Sequence, residues 1–274
     1  MTIKLTKGFN EKCSNEEYHA DREYKSSSAL KLIIKDPREY YRKYVLNETE
    51  SMSKDALNIG SYAHCRVLEP HLEEVEFAHF TGSRRSGPEW KEFEEANQGK
   101  IIITNSQKSL VDTMIRNYEE TSVTLGDHGN EKEVQISSFF RGGAAEETLC
   151  GEINGYKVKC RFDYRKEFED FGSINDLKTT AGSITSKKDV EEICEYWNYA
   201  LSAALYVDLA VQATGKEHDF YFIFMSKKDF KCRIFKASEA FLERGRRDYL
   251  LAIELLKKAE ATGVYFENKI EELG

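Results

Sequence analysis

Two neighbouring strand-like runs each deliver an acid, and this pairing limits the possible folds more than any other feature of the chain. The second run, residues 173–180 (Ser-Ile-Asn-Asp-Leu-Lys-Thr-Thr), reads as a brief strand that begins with Ile174 and ends in a hydroxyl-rich loop. Alternate side chains of an extended segment share a face, so Asp176 and Lys178 point one way and Leu177 the other. Thirteen residues upstream, Asp163 closes the first run, 156–163. Two strands that bring a carboxylate each to one region are what a Mg²⁺ site needs, and the lysine beside them can orient a water or steady a charged phosphorus centre. Taken alone, an Asp-x-Lys is more often a solvated surface pair.

The 274 residues suffice for one large domain, and with only 3 prolines and no low-complexity tract the reading is a single domain, 1–274. Its expected parts are a helical N-terminal portion at about 18–120, a core at about 131–236 and a C-terminal helix at about 239–261. No run has the length of a transmembrane helix, and the start lacks the apolar stretch of a signal peptide, so no membrane role and a cytoplasmic location are expected. Six cysteines without a Cys-x-x-Cys pair read as reduced thiols and not as a zinc or iron–sulfur site. A net charge of −8 gives no global footprint for nucleic acid; a DNA-acting chain of this composition must concentrate its positive charge locally.

In chain order, residues 26–46 predict two short helices, the first capped by Ser28 and the second by Asp36 with Pro37 at its first position. The second mixes Arg42 and Lys43 with tyrosines, which suits either a half-buried amphipathic face or contact with a nucleic-acid backbone. A helix over 54–68 follows, with Leu57, Gly60, Ser61, His64 and Leu68 on one face. Gly60 costs about 1 kcal/mol inside a helix relative to Ala and is tolerable where something approaches the backbone closely. His64 on that face is a core histidine or a metal ligand. The loop 82–88, with Arg84 and Arg85, is a surface loop or a phosphate-contacting flap. A strand at 101–103, a helix at about 107–118 and a half-buried strand over 131–140 come next. Asn154-Gly155 is a hairpin turn that joins 148–153 to the strand ending in Asp163, which sets Glu133, Asp163 and Asp176 on neighbouring strands. One long helix over 190–214, ended by Gly215, carries Tyr199, Ser202 and Tyr206 on a stripe with Trp197 nearby. A hairpin around 227–229 and a helix capped by Ser238 complete the chain.

The series Ser26-Ser27-Ser28-Ala29-Leu30, Asp36-Pro37, Gly60-x-x-x-His64-x-x-x-Leu68-Glu69-Pro70, Asp163, Asp176-Leu177-Lys178-Thr179-Thr180 and Tyr206 resembles the RecE (exonuclease VIII) branch of the PD-(D/E)xK nucleases, which are related to the RecB nuclease domain. The resemblance runs from about Tyr18 to past Phe224. It implies an α/β restriction-endonuclease-like core, a central mixed sheet flanked by helices with an N-terminal helical portion. It also implies a metal-dependent exodeoxyribonuclease that works from double-stranded DNA ends, 5′ to 3′, and feeds single strands to an annealing protein in recombination. By the same resemblance, His64, Asp163, Asp176 and the Leu177 carbonyl are metal ligands and Lys178 positions the attacking water. Glu133, with Glu131 close to it, matches the family's earlier acid, and Tyr206 the tyrosine of its Gln-x-x-x-Tyr motif, although Ser202 stands where the glutamine belongs. The implied cofactor is Mg²⁺, with Mn²⁺ tolerated because histidine suits it. A bacterial, phage or prophage setting and a homo-oligomeric ring of four subunits are implied too, with Arg42, Lys43, Arg84 and Arg85 as the candidate DNA-channel lining. Two other readings remain open at this level: a catalytically silent DNA-binding or annealase-docking module that keeps the fold, and an α/β protein whose Asp-x-Lys is a surface pair.

Overall fold

The structure is a computed structural model that describes residues 4–11, 13–48, 54–126 and 131–266. The N-terminal part holds β1 (Gly8–Asn10), α1 (Asn15–Ala20), β2 (Lys25–Ser26), α2 (Ser27–Lys35) and α3 (Pro37–Tyr40), the last running into a π-helical turn at Tyr41–Val45. Then come α4 (Lys54–Leu68), α5 (Glu73–Glu76), β3 (Phe77–Phe80), α6 (Pro88–Ala96), β4 (Ile101–Thr104), α7 (Asn105–Glu120), β5 (Ser122–Leu125) and β6 (Lys132–Gln135). The remainder is β7 (Ala144–Ile153), β8 (Tyr156–Glu167), β9 (Phe171–Thr180), α8 (Lys187–Tyr196), α9 (Tyr199–Thr214), β10 (Glu217–Ser226), β11 (Cys232–Lys236) and α10 (Glu239–Thr262).

Seven strands make one mixed sheet in the order β1-β7-β8-β9-β10-β11, with β2 lying against β8. Strand β10 runs parallel to β9, which requires the α8–α9 crossover between them. Helices cover both faces, as the expected restriction-endonuclease-like architecture requires. On one face Ile174, Phe220, Phe222 and Phe224 pack with residues of α2, α9 and α10. On the other Leu177, Ile223 and Met225 meet Ala63 of α4 and Met114 of α7. All six cysteines are buried, and none is paired with another.

The sheet is split at one place. Pairing of β8 with β9 ends at Tyr164↔Asn175, and beyond it Val158 and Lys159 of β8 pair with β2 instead. Asp163 and Asp176 are the next residues past the end of that ladder. The split coincides with a change of face. Val158, Cys160 and Phe162 belong to the first core but Tyr164 to the second; in β7, Leu149 belongs to the first and Ala145 packs on the second. Residues an even number apart share a face in a regular strand, so each strand reverses its faces once. The reversal falls on the opposed residues Glu146 and Asp163, which the pairs Ala145↔Tyr164 and Glu147↔Phe162 bracket, and Glu146 has φ 51°. Positive φ is uncommon for a residue other than glycine and clusters at functional sites.

Several elements differ from the sequence expectation for local reasons. Ser26, not Ser28, caps α2, because pairing of β2 with β8 already holds Ser26 extended, as an N-cap requires (φ −79°, ψ 164°). The expected 190–214 helix is two helices. Asn198 adopts the left-handed region (φ 44°, ψ 56°) and its side chain accepts from Leu201 N to start α9. The expected strand over 131–140 is β6 followed by a 3₁₀ turn, since Ile136 and Phe140, four apart, both enter the second core. The hairpin residues Asn154 and Gly155 have φ 50° and 72°, as a tight two-residue turn demands.

Helices α9 and α10 approach closely at Gly245, where a Cβ would lie 2.0 Å from the Ala200 carbonyl oxygen. Gly245→Ala should therefore lower stability by about 1–3 kcal/mol, the usual cost of overpacking. Thermal or urea denaturation measures it, and an unchanged midpoint would show that the two helices part without strain.

Candidate active site

The gap between β8 and β9 gathers titratable side chains from four elements. From β8, Asp163 turns its Oδ2 onto the backbone N–H of Leu177, 2.7 Å away, a donor that no longer has a ladder partner on that side once the strands separate. From β9, Asp176 and Lys178 share a face as alternation requires and form an ion pair; the Lys178 Nζ is also 3.9 Å from Asp163 Oδ2. From α4, His64 Nδ1 stands 3.9 Å from the same Asp163 oxygen. From β7, the reversed Glu146 enters the group. One ligand atom each from His64, Glu146 and Asp163 lies within 4.8 Å of the other two. Arg161 Nε donates to Glu146 Oε2 at 2.6 Å, while its Nη1 donates to the Cys13 carbonyl at 2.9 Å and so ties the N-terminal segment to the group.

Electrostatics follow from crowding acids in a half-buried place. Burial pushes Glu146 up to about 7, with the Asp163 charge adding and Arg161 opposing. Burial likewise raises Asp176 to about 6, against the pull of Lys178, and raises Asp163. Burial alone would lower Lys178, but Asp176 and Asp163 hold it well above the ordinary lysine range. His64 is pushed down to about 4 by burial and by the Lys178 charge, so its ring is neutral near pH 7 and has a lone pair to give.

A divalent ion fits this donor set. Bonds of about 2.0–2.6 Å from oxygen or imidazole ligands to one ion set the ligand atoms about 3–5 Å apart, which is the spacing of the His64, Glu146 and Asp163 atoms. The group opens on a cavity of about 1000 Å³ whose wall includes Gly60, His64, Glu146, Arg161 and Thr179. A Cβ at Gly60 would be 3.4 Å from Thr179 Oγ1, so α4 lies close on β9 there.

The other sequence candidates fall elsewhere. Glu133 is not on a neighbouring strand: β6 pairs only with β5 in a separate two-stranded sheet, where Glu133 is exposed. The acid beside Asp163 is Glu146, which the sequence reading missed by starting β7 at residue 148. Asp176 lies within electrostatic reach of His64 and Asp163, with its carboxylate turned to Lys178. Tyr206 sits in the first core behind the site, its ring edge-on to Phe162 and Phe220. None of Arg42, Lys43, Arg84 and Arg85 lines the cavity. Arg42 pairs with Glu39 and Glu48, Lys43 lies over the Tyr44 ring, Arg85 donates to Gln107, and Arg84 is exposed in the loop before α6. Two further residues adjoin the site: Tyr199, whose ring centroid is 5.4 Å from Lys178 Nζ, and Lys31 of α2, 5.2 Å from the same centroid.

Comparison with known proteins bears on the family and the fold. The profile of a family described as "PDDEXK-like domain of unknown function (DUF3799)" matches residues 26–265. A crystal structure of a candidate exonuclease from Eubacterium rectale superimposes with a TM-score of 0.64 at 18% identity, covering 93% of this chain and 89% of that one. A crystal structure of SSO0001 aligns at a TM-score of only 0.29 and 10% identity, over 80% of this chain and 84% of that one, and adds nothing to the argument. No curated protein matches the sequence. Among the described residues no helix is long and apolar enough to cross a membrane.

The raised acids give a pH signature with a definite sign. Glu146 and Asp176 have folded pKa values above their unfolded ones, so their contribution to stability is fully present below pH about 4 and lost as pH rises through about 6 to 7. A bound divalent ion takes the place of those protons. Mn²⁺ or Mg²⁺ should therefore raise the melting temperature more at pH 7.5 than at pH 5.5, and the difference should shrink in Glu146→Gln. Equal shifts at both pH values would show that the ion binds away from these carboxylates.

Proposed function

Because the chain belongs to the family of PDDEXK-like domains whose profile spans residues 26–265, we propose that it is a divalent-metal-dependent deoxyribonuclease that hydrolyses phosphodiester bonds from the ends of double-stranded DNA. The observation that carries the reading is the convergence of His64, Glu146 and Asp163 beside the Asp176–Lys178 pair, with His64 and Glu146 on the wall of one cavity. The acids alone would repel a phosphodiester. Together with an ion they make a place where a phosphate oxygen and a water can meet.

When bound, the ion lowers the pKa of a water and offsets charge on the phosphate. His64, Glu146 and Asp163 would hold it, with the Asp176–Lys178 pair beside them. The Lys178 ammonium, kept protonated by the Asp176 and Asp163 carboxylates that face it, would donate to the attacking water or to a phosphate oxygen. The Leu177 N–H fixes the Asp163 rotamer, so this ligand is set before the ion arrives.

The finer assignment draws on the resemblance to the RecE group and on the description of the Eubacterium rectale structure as a candidate exonuclease. It makes the enzyme an exonuclease that degrades 5′ to 3′ with Mg²⁺ or Mn²⁺ and leaves single strands for an annealing partner in recombination. On this reading a linear duplex labelled at one end is degraded with Mg²⁺ and spared with EDTA, while a covalently closed circle survives; loss of the circle would make the enzyme an endonuclease. Lys178→Ala should cut the hydrolysis rate by about 10²–10³-fold, in line with loss of one transition-state donor, and leave the metal-induced melting shift intact. Full activity in that variant would reduce Lys178 to a structural ion-pair residue.

The same resemblance supports a closed ring of four subunits around DNA. A chain of net charge −8 has little long-range attraction for a polyanion, and threading replaces affinity with topology. Light scattering at micromolar concentration should give a tetramer mass; a clean monomer would remove the ring.

A further inference from the structure

The break between α8 and α9 leaves aromatic surface beside the site. Tyr196 and Trp197 are 66% and 52% exposed, with their rings edge to face at 4.9 Å. Trp197 lines the same cavity as His64 and Glu146. Its backbone is held on both sides. The Trp197 N–H donates to the Ile193 carbonyl at 3.1 Å. The next residue, Asn198, takes the left-handed conformation, caps α9 through Leu201 N and donates to Asp248 Oδ2 of α10 at 2.9 Å. Asparagine adopts that conformation more readily than most residues, and here its two side-chain hydrogen bonds hold it there.

Neighbouring residues tie this pair to the chemistry. Tyr199, two positions after Trp197, meets Lys178 and Lys31, while Lys35 lies 4.9 Å from the Tyr196 ring centroid. Lys227 contributes to the wall of the same cavity. Flat apolar rings interspersed with ammonium groups suit a ligand that alternates π-faces with negative charges, which describes a nucleic-acid strand. An apolar protein surface would gain nothing from the lysines, nor from the carboxylates deeper in the cavity.

We infer that Trp197, backed by Tyr196, is a stacking platform for an unpaired nucleobase of the strand whose backbone enters the metal site. The platform rests on the nuclease reading, because the strand must have a reason to enter. Its role is positioning: a base stacked on Trp197 sets how far along the strand the phosphate beside Lys178 lies. The rigid Asn198 anchor then acts as a spacer between base and scissile bond.

The chain has two tryptophans, Trp90 and Trp197, so Trp90→Phe makes Trp197 the sole indole emitter. The probe is a twelve-residue oligothymidylate, added with EDTA present so that nothing is cut. Its binding should quench indole emission in Trp90→Phe, since stacking on a base is a contact quench. Trp197→Ala should bind the oligonucleotide about 5- to 100-fold more weakly by anisotropy of an end-labelled strand, as loss of one stacked base predicts, and Trp197→Tyr should recover most of it. On a duplex with a frayed end, Trp197→Ala should raise KM more than it lowers kcat. Oligonucleotide bound at unchanged affinity with no quench in Trp90→Phe would overturn the platform, as would equal affinity in Trp197→Ala with an unchanged melting temperature. Binding of a protein partner at Trp197 with no effect of the oligonucleotide would overturn it too. Quenching without hydrolysis of any DNA in Mg²⁺ would sustain the platform and remove the nuclease reading instead.

Discussion

Three carboxylates, those of Asp163, Asp176 and Glu146, share the gap where β8 leaves β9, and the cations bonded to them are Lys178 and Arg161. Burying carboxylates is unfavourable, and desolvation raises the pKa of all three acids, with the Asp163 charge adding at Glu146 and Asp176. The rest of the sheet is arranged so that the strain cannot relax. Strand β9 is paired with β10 along its whole length and β8 is paired with β7 and β2, so neither strand can slide to spread the acids. The unfavourable charge is thus held for a bound cation to relieve, and metal affinity and folding stability become linked quantities.

The face reversal at Glu146 and Asp163 is the structural means of doing this. Without it, Glu146 would keep the orientation set by Leu149 and the rest of β7. A left-handed residue there, and the matching irregularity in β8, turn its carboxylate toward Asp163 and carry Tyr164 across to the second core. Arg161 then bonds the Glu146 carboxylate and reaches back to Cys13, so an element far away in sequence helps to hold the strained residue.

Much of this was legible in the chain. Period-two alternation placed Asp176 and Lys178 together, the face of α4 singled out His64, and Asn154-Gly155 announced the β7–β8 hairpin. The missed acid could have been found from that same turn. A two-residue hairpin fixes register, and counting outward from Asn154 and Gly155 sets residue 146 opposite residue 163. Glu133 drew attention instead because its flanks alternate as a strand does, yet Ile136 and Phe140 obey a four-residue spacing and turn the chain away. The break at Asn198 was hidden for a different reason. The periodicity of 190–214 continues across it, and only tertiary contacts such as that of Asn198 with Asp248 make the left-handed conformation worthwhile.

The position of the lysines follows from the same logic of shared charge. Lys31 and Lys178 come from α2 and β9, and both lie against the ring of Tyr199 at the start of α9. Two ammonium groups near one another repel, and the Tyr199 π-face reduces that repulsion without neutralising either charge, as a carboxylate would. Burial, with the neighbouring Lys178 charge adding and Asp176 opposing, pulls Lys31 down to about 7. Ammonium groups thus gather where α2, β9 and α9 meet, while Arg161 places a further cation against Glu146 on the β7–β8 side.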